Sequence, residues 1–143
     1  MFILVGNGKN YEKYFKLIKK YELEDNVKLL GQRNDIPELL SLSDIFVTAS
    51  RREGLPVSVM EAMAVGLPIV ATNCRGNIDL VINNENGYVV NIDDVSSFAE
   101  KIETLYSNKE LINLFASKSI ELIKKFDIKN VSQEMKSIYK QYT

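Results

Sequence analysis

Glu53 and Glu61 flank the start of an apolar helical segment, and the residues around them are the ones best suited to chemistry in this chain. The run Ala49-Ser50-Arg51-Arg52-Glu53-Gly54-Leu55-Pro56 leads into Val57-Ser58-Val59-Met60-Glu61-Ala62-Met63-Ala64-Val65-Gly66. Pro56 suits a first helical turn, where its missing N–H costs nothing, and Gly54 permits close backbone approach. Free amides there, at the positive end of the helix dipole, would hold an anion such as a phosphate. All four arginines, Arg33, Arg51, Arg52 and Arg75, fall in loops of the middle third. The clustering suits anion recognition, with solvated loop cations as the alternative. Glu61 is a carboxylate in a segment apolar on every side apart from Ser58, which predicts a buried charge in need of donors such as vicinal sugar hydroxyls. Alternatively, Ser58 caps the helix and Glu61 closes the capping box. Glu53, ahead of the helix, would touch a different part of the same ligand. Paired with Arg51 or Arg52, it would instead be an ordinary loop carboxylate.

The composition removes several rivals. With no His and one Cys, Cys74, the chain lacks the parts for Ser/His or Cys/His nucleophile pairs, His-ligated metals and imidazole base catalysis, and no metal is implied. A net charge of -1 argues against a nucleic-acid partner or an anionic-membrane anchor, since both need an excess of Lys and Arg. No apolar run approaches the ~20 residues of a membrane helix. Phe2-Ile3-Leu4-Val5 is too short for a signal-peptide core, and a lone Cys fits a reducing compartment, so a cytoplasmic protein is expected. On that expectation the glycosylation pattern at Asn130-Val131-Ser132 is a chance match. Gly6-Asn7-Gly8 would let a ligand approach the backbone, but Tyr11 stands where a dinucleotide fingerprint needs its third glycine. Asn7 and Lys9 occupy the place where a phosphoacceptor domain needs clustered acids.

The 143 residues predict one compact domain, 1-143, with no linker or repeat. Strands are expected at Phe2-Val5, Val27-Leu30, Asp44-Thr48, Pro68-Thr72 and Gly87-Val90, nearly continuous in apolar character as strands covered on both faces should be. Tyr11, Tyr14, Phe15, Ile18 and Tyr21 recur at helical spacing, with lysines on the other face. Asp35-Ser43, Pro56-Val65 and a turn near Asn77-Ile82 supply the other crossovers. Helices follow at Val95-Tyr106 behind Asp94, at Lys109-Lys125 behind Ser107 with Glu110 closing its capping box, and around Val131, Met135, Ile138 and Tyr142. Such alternation is α/β: a doubly wound parallel sheet with C-terminal helices, whose ligand site lies beyond the carboxyl ends of the strands.

The stretch from Glu53 through Gly66 to Leu67-Pro68-Ile69-Val70-Ala71-Thr72 resembles the signature of retaining glycosyltransferases of family 4, the Glu-x7-Glu motif in the C-terminal, nucleotide-sugar-binding half of a GT-B enzyme. The similarity extends to Val5-Gly6-Asn7-Gly8, Leu30-Gly31, Asp35-Ile36-Pro37-Glu38-Leu39-Leu40, Ser43-Asp44, Asn86-Gly87-Tyr88 and Ile138-Tyr139. Arg75-Gly76-Asn77-Ile78-Asp79-Leu80 is similar to members that build bacterial capsule, exopolysaccharide or lipopolysaccharide chains. The resemblance implies that Glu61 holds the ribose hydroxyls and that Glu53 contacts the donor hexose near the reacting carbon, as the catalytic residue. It further implies that the amides from Gly54 through Leu55 and Pro56 to Val57 meet the diphosphate or sugar, that the backbone at Arg33 reads the base, and that Gly6 and Gly8 line the cleft. Asp79 stands where many members have Glu and is not assigned to the site.

The family's donor half normally opens with a further strand, an Arg- and Lys-bearing loop and a helix. This chain begins at what resembles the second strand, and the acceptor-binding half is absent. If Phe2-Val5 and Asp44-Thr48 pair directly across the missing strand, the five strands take the flavodoxin-like order 2-1-3-4-5. The resemblance thus implies a hexosyl-type glycosyltransferase donor domain for a nucleoside-diphosphate sugar, without metal or other cofactor, acting in cell-surface polysaccharide synthesis. The intact enzyme would be peripheral at the inner membrane face, and the chain alone would show little or no turnover. The alternative is a non-catalytic nucleotide-binding or interaction module built on the same fold.

Overall fold

A computed structural model describes residues 1–140. The element order is β1 (Phe2–Val5), α1 (Tyr11–Lys20), β2 (Val27–Gly31), α2 (Ile36–Ser41), β3 (Phe46–Thr48), α3 (Val57–Ala64), β4 (Ile69–Thr72), α4 (Arg75–Ile78), β5 (Gly87–Val90), α5 (Val95–Tyr106), α6 (Lys109–Ile123) and α7 (Ile128–Tyr139). The strand-helix alternation expected from the sequence is present throughout. Tyr142, expected to close the last helix, lies outside the described residues. The chain divides into two compact units, Met1–Ile36 and Pro37–Thr143.

In the first unit β1 and β2 pair in parallel, from Phe2 opposite Val27 to Val5 opposite Gly31, with one register shift after Leu4. Gly6 has φ 125° and its amide donates to the Gly31 carbonyl at 2.7 Å, so the turn leaving β1 requires glycine there. Helix α1 returns over this pair and buries Ile18.

In the second unit β3, β4 and β5 form a parallel sheet in that order. The ladders therefore give two sheets in place of one, and the order 2-1-3-4-5 survives only as its two runs, 2-1 and 3-4-5. Direct pairing of β1 with β3 would replace a strand that the family resemblance puts between them. The expected burial of every strand on both faces also fails. Only β4 is buried along its whole length, whereas Phe2 is 36% and Val5 44% exposed.

The second unit's core forms where α3, α5 and α6 cover this sheet. Val70, Tyr88, Val90, Leu105 and Phe115 make one buried cluster, with the Tyr88 and Phe115 rings edge to face at 5.4 Å. Helix α3 contributes Val59, Ala62 and Met63, an i, i+3, i+4 stripe, and packs against α6. It stops at Gly66, whose φ of 78° lets its amide reach Met63 O and the Leu67 amide reach Ala62 O, a Schellman closure. The buried Ser119 hydroxyl of α6 then donates to Leu67 O at 2.8 Å.

Asp94 caps α5 as expected, accepting from the Ser97 amide and hydroxyl, and those bonds hold its carboxyl below the usual range. The cap of α6 is Asn108, accepting from the Leu111 amide at 3.0 Å, and not Ser107. Ser107 still has helical backbone and ends α5, which leaves the extended Asn108 as the first residue able to cap the next helix. Phe115→Ala should cost about 3–5 kcal/mol by opening a cavity under β4 and β5, and a thermal or denaturant melt would measure it.

Candidate functional site

Beyond the carboxyl ends of β3, β4 and β5 lies an open cleft of about 890 Å³. The loop after β3 supplies Arg51, Arg52, Glu53, Gly54 and Leu55; the segment after β4 supplies Asn73, Cys74, Arg75 and Asp79; Ile92 follows β5. Within this unit the site therefore sits where an open parallel sheet places ligands.

Helix α3 starts beside the cleft. Pro56 is its cap, extended at φ -73° and ψ 108°, and Val57 is the first helical residue. Ser58 is therefore inside the first turn, and the capping box with Glu61 does not form. The Pro56 carbonyl takes the amides of Val59 at 3.1 Å and Met60 at 3.2 Å. The amides of Gly54, Leu55, Val57 and Ser58 find no acceptor among the described residues. Donors left free at the positive end of a helix dipole favour an anion.

The arginines of the cleft are unequal. Arg51 pairs with Asp93, both exposed, while Arg52 and Arg75 have no hydrogen-bonded or ionic partner among the described residues. Glu53 is half buried and pairs with neither Arg51 nor Arg52. The ordinary-loop-carboxylate alternative therefore fails, and two cations, Arg52 and Arg75, and two carboxylates, Glu53 and Asp79, remain uncommitted among the described residues. No group of three or more His, Cys, Asp or Glu able to hold a metal occurs among the described residues. Nor is any described helix long and apolar enough to cross a membrane.

The loop carrying Glu53 is held from behind by α4. The Gly76 amide donates to Glu53 O at 3.3 Å, and the Thr72 hydroxyl donates to Ser50 O. A Cβ at Gly76 would collide with Gly54 O and lie 2.9 Å from Pro56 Cδ, so only glycine lets the two backbones meet.

The expected site residues fall into separate groups. Glu53, Gly54 and Leu55 line the cleft; Pro56 is buried as the cap; Val57 is 65% exposed on the first turn of α3. Glu61 does not line the cleft. It is exposed, and the expectation of burial on every side is overturned because α3 turns only the Val59, Ala62 and Met63 stripe inward, leaving Val57, Ser58, Glu61, Ala64 and Val65 outward. In the first unit, Gly6 and Gly8 line a smaller pocket of about 300 Å³ with Tyr11 and Tyr14. Arg33 binds the Asp35 carboxylate through two nitrogens; the contact raises the guanidinium and lowers the carboxyl from their ordinary values. Asn73, Cys74, Asp79 and Ile92 line the cleft without being expected there from the sequence. The signal that could have found them is their position just after β4 and β5.

Residues 1–122 match the family model described as glycosyl transferases group 1. The chain is 33% identical over 145 residues to the Escherichia coli UDP-Gal:alpha-D-GlcNAc-diphosphoundecaprenol alpha-1,3-galactosyltransferase, covering 97% of this chain and 36% of that protein. The crystal structure of Staphylococcus aureus TarM superposes with a TM-score of 0.88 at 30% identity, over 96% of this chain and 28% of TarM. The Anabaena Alr3699/HepE structure in complex with UDP-glucose superposes with a TM-score of 0.85 at 26% identity, over 97% of this chain and 40% of that one. This chain spans about a third of the length of the curated relatives it matches.

An anion-holding cleft should bind inorganic pyrophosphate, more weakly as salt rises. Arg52→Gln and Arg75→Gln should each weaken that binding about two- to fivefold, the size of an exposed charge contact. Arg51→Gln should weaken it less, because Asp93 already engages that guanidinium. Calorimetric titration of the three variants checks this; equal losses would mean a diffuse charge effect and no defined site.

Proposed function

The chain belongs to the group 1 glycosyl transferases, in the C-terminal part of the GT-B fold, and on that premise we propose that it binds the donor of a retaining sugar transferase, a nucleoside-diphosphate sugar. The observation that carries this reading is the cleft where uncommitted Arg52 and Arg75, the unpartnered Glu53 and the free amides from Gly54 to Val57 converge. Cations and amides complement a diphosphate, and a carboxylate without a cation partner is available to accept from hexose hydroxyls.

In retaining transfer the bond between the anomeric carbon and the diphosphate oxygen breaks, and negative charge grows on the departing diphosphate. Groups already aimed at that oxygen stabilise the charge as it forms, so Arg52, Arg75 and the start of α3 act on the leaving group while Glu53 orients the sugar. Glu61, on the outward face of α3, is assigned to the ribose hydroxyls. The acceptor must be held by residues outside this chain. The proposed setting is bacterial polysaccharide synthesis, a reading supported by the similarity to an E. coli enzyme named for galactosyl transfer to diphosphoundecaprenol-linked GlcNAc. The donor is not assigned a base beyond this: a UDP-sugar is the first to test, since HepE was crystallised with UDP-glucose.

Titration with UDP, GDP and their hexose derivatives tests the reading. Saturable binding is expected, abolished by Glu61→Ala, whereas Glu53→Gln should cost about 1–2 kcal/mol for the sugar nucleotide and less for the bare nucleotide. Turnover by the 143-residue chain alone should be slight or nil. Failure to bind any nucleotide would favour an interaction scaffold on the same fold instead.

A further inference from the structure

Asn77, on α4, is the fully buried polar side chain nearest in sequence to the Glu53 loop's support, and nothing so far gives it a role. Its Nδ2 donates to Thr72 O at 2.9 Å and reaches Thr72 Oγ1 at 3.4 Å. Its Oδ1 is buried with no hydrogen-bond partner among the described residues.

Stability gives no reason for an asparagine at this position. An unsatisfied buried acceptor carries its full desolvation penalty, whereas an apolar residue of similar volume carries none. Thr72 O already accepts from the Cys74 amide at 2.8 Å, so losing the Asn77 amide would orphan no carbonyl. What the amide does achieve is directional. By donating toward one lone pair of Thr72 Oγ1, at 3.4 Å, it favours the rotamer in which that hydroxyl's proton points away from Asn77 and to Ser50 O, at the head of the Glu53 loop. One residue back, the Gly76 amide holds Glu53 O itself at 3.3 Å.

We infer that Asn77 is a positioning residue, which acts through Thr72 and the neighbouring Gly76 to fix the Ser50–Glu53 segment, and with it the sugar-facing side of the cleft. The inference deepens the donor-binding reading and rests on it for the ligand, but the link from Asn77 to the loop exists without ligand and is measurable without it.

The test uses Asn77→Leu and Thr72→Val, each close in volume to the native residue, with Thr72→Ser as the conservative partner that keeps the hydroxyl. In the ligand-free chain, exchange of the Gly76 amide proton should quicken about five- to tenfold in Asn77→Leu and Thr72→Val, the scale of one lost hydrogen bond, while α6 amides stay unchanged. Asn77→Leu should melt at or above the native temperature. Calorimetry should show affinity for UDP-glucose falling by the same factor in both variants, affinity for UDP falling by a smaller factor through Arg52 alone, and Thr72→Ser behaving as native. Unchanged Gly76 exchange, or an unchanged ratio of UDP-glucose to UDP affinity in folded Asn77→Leu, overturns the proposal. So does a simple fall in melting temperature with that ratio intact. If the unsubstituted chain binds neither nucleotide yet Gly76 exchange quickens in the variants, the donor reading is overturned and the positioning link stands.

Discussion

The second unit's chemistry depends on one backbone contact, the flat face of Gly76 against the Gly54 carbonyl and the Pro56 ring. A loop with two adjacent arginines and a glutamate has every electrostatic reason to relax into solvent and pair its own charges. It is prevented from doing so because α4 presses on it where no side chain intervenes, and because Glu53 O and Ser50 O are tied back to Gly76 and Thr72. The backbone that carries half-buried Glu53 is thereby held by packing that lies outside the cleft. What is preorganised is that backbone and its free amides, while the exposed Arg52 and Arg75 side chains stay solvated until an anion orders them.

Charge alone would not make the cleft selective. Three arginines set against Glu53 and Asp79 leave a small positive excess, enough to attract an anion but not to orient it. Orientation comes from the fixed donors, the amides between Gly54 and Ser58 that neither the helix nor the loop uses. Those at the helix start stay free because the cap, Pro56, carries no side-chain acceptor that would satisfy them. A serine or aspartate at the cap would stabilise α3 and take up one of the donors on which an anion would depend.

Much of this was legible before any coordinates. The strands, a helix start ahead of Ser58, the stop at Gly66 and the arginine-bearing loop follow from local chemistry that tertiary packing had no reason to override, although Pro56, expected in the first turn, is the extended cap before it. The errors have a common physical origin, in that sequence shows which residues are apolar but not which surface covers them. The segment from Val57 to Val65 looks apolar all round, yet only the Val59, Ala62 and Met63 stripe meets α6 and the sheet, and Glu61 lies outside it. Ser107 and Asn108 are both good caps, and the choice was made by where α5 finished unwinding. The role of Asn77 was invisible for a different reason: its partners are a carbonyl and a hydroxyl five residues away, brought together by the turn after β4.

The two glutamates of the motif are held by different parts of the second unit. Glu53 rides on a loop whose position is fixed by α4 and the end of β4, through Gly76 and Thr72. Glu61 rides on a helix whose position is fixed by α6, through the Val59, Ala62 and Met63 stripe and the close approach of Gly66 to Ile120. Pro56 joins the two supports, since it caps α3 and lies against Gly76 of α4. A disturbance of α4 therefore reaches Glu53 directly and Glu61 only through the first turn of a helix that α6 also holds, so if the two contact the hexose and the ribose of one donor, loosening α4 weakens recognition of the sugar more than that of the nucleoside.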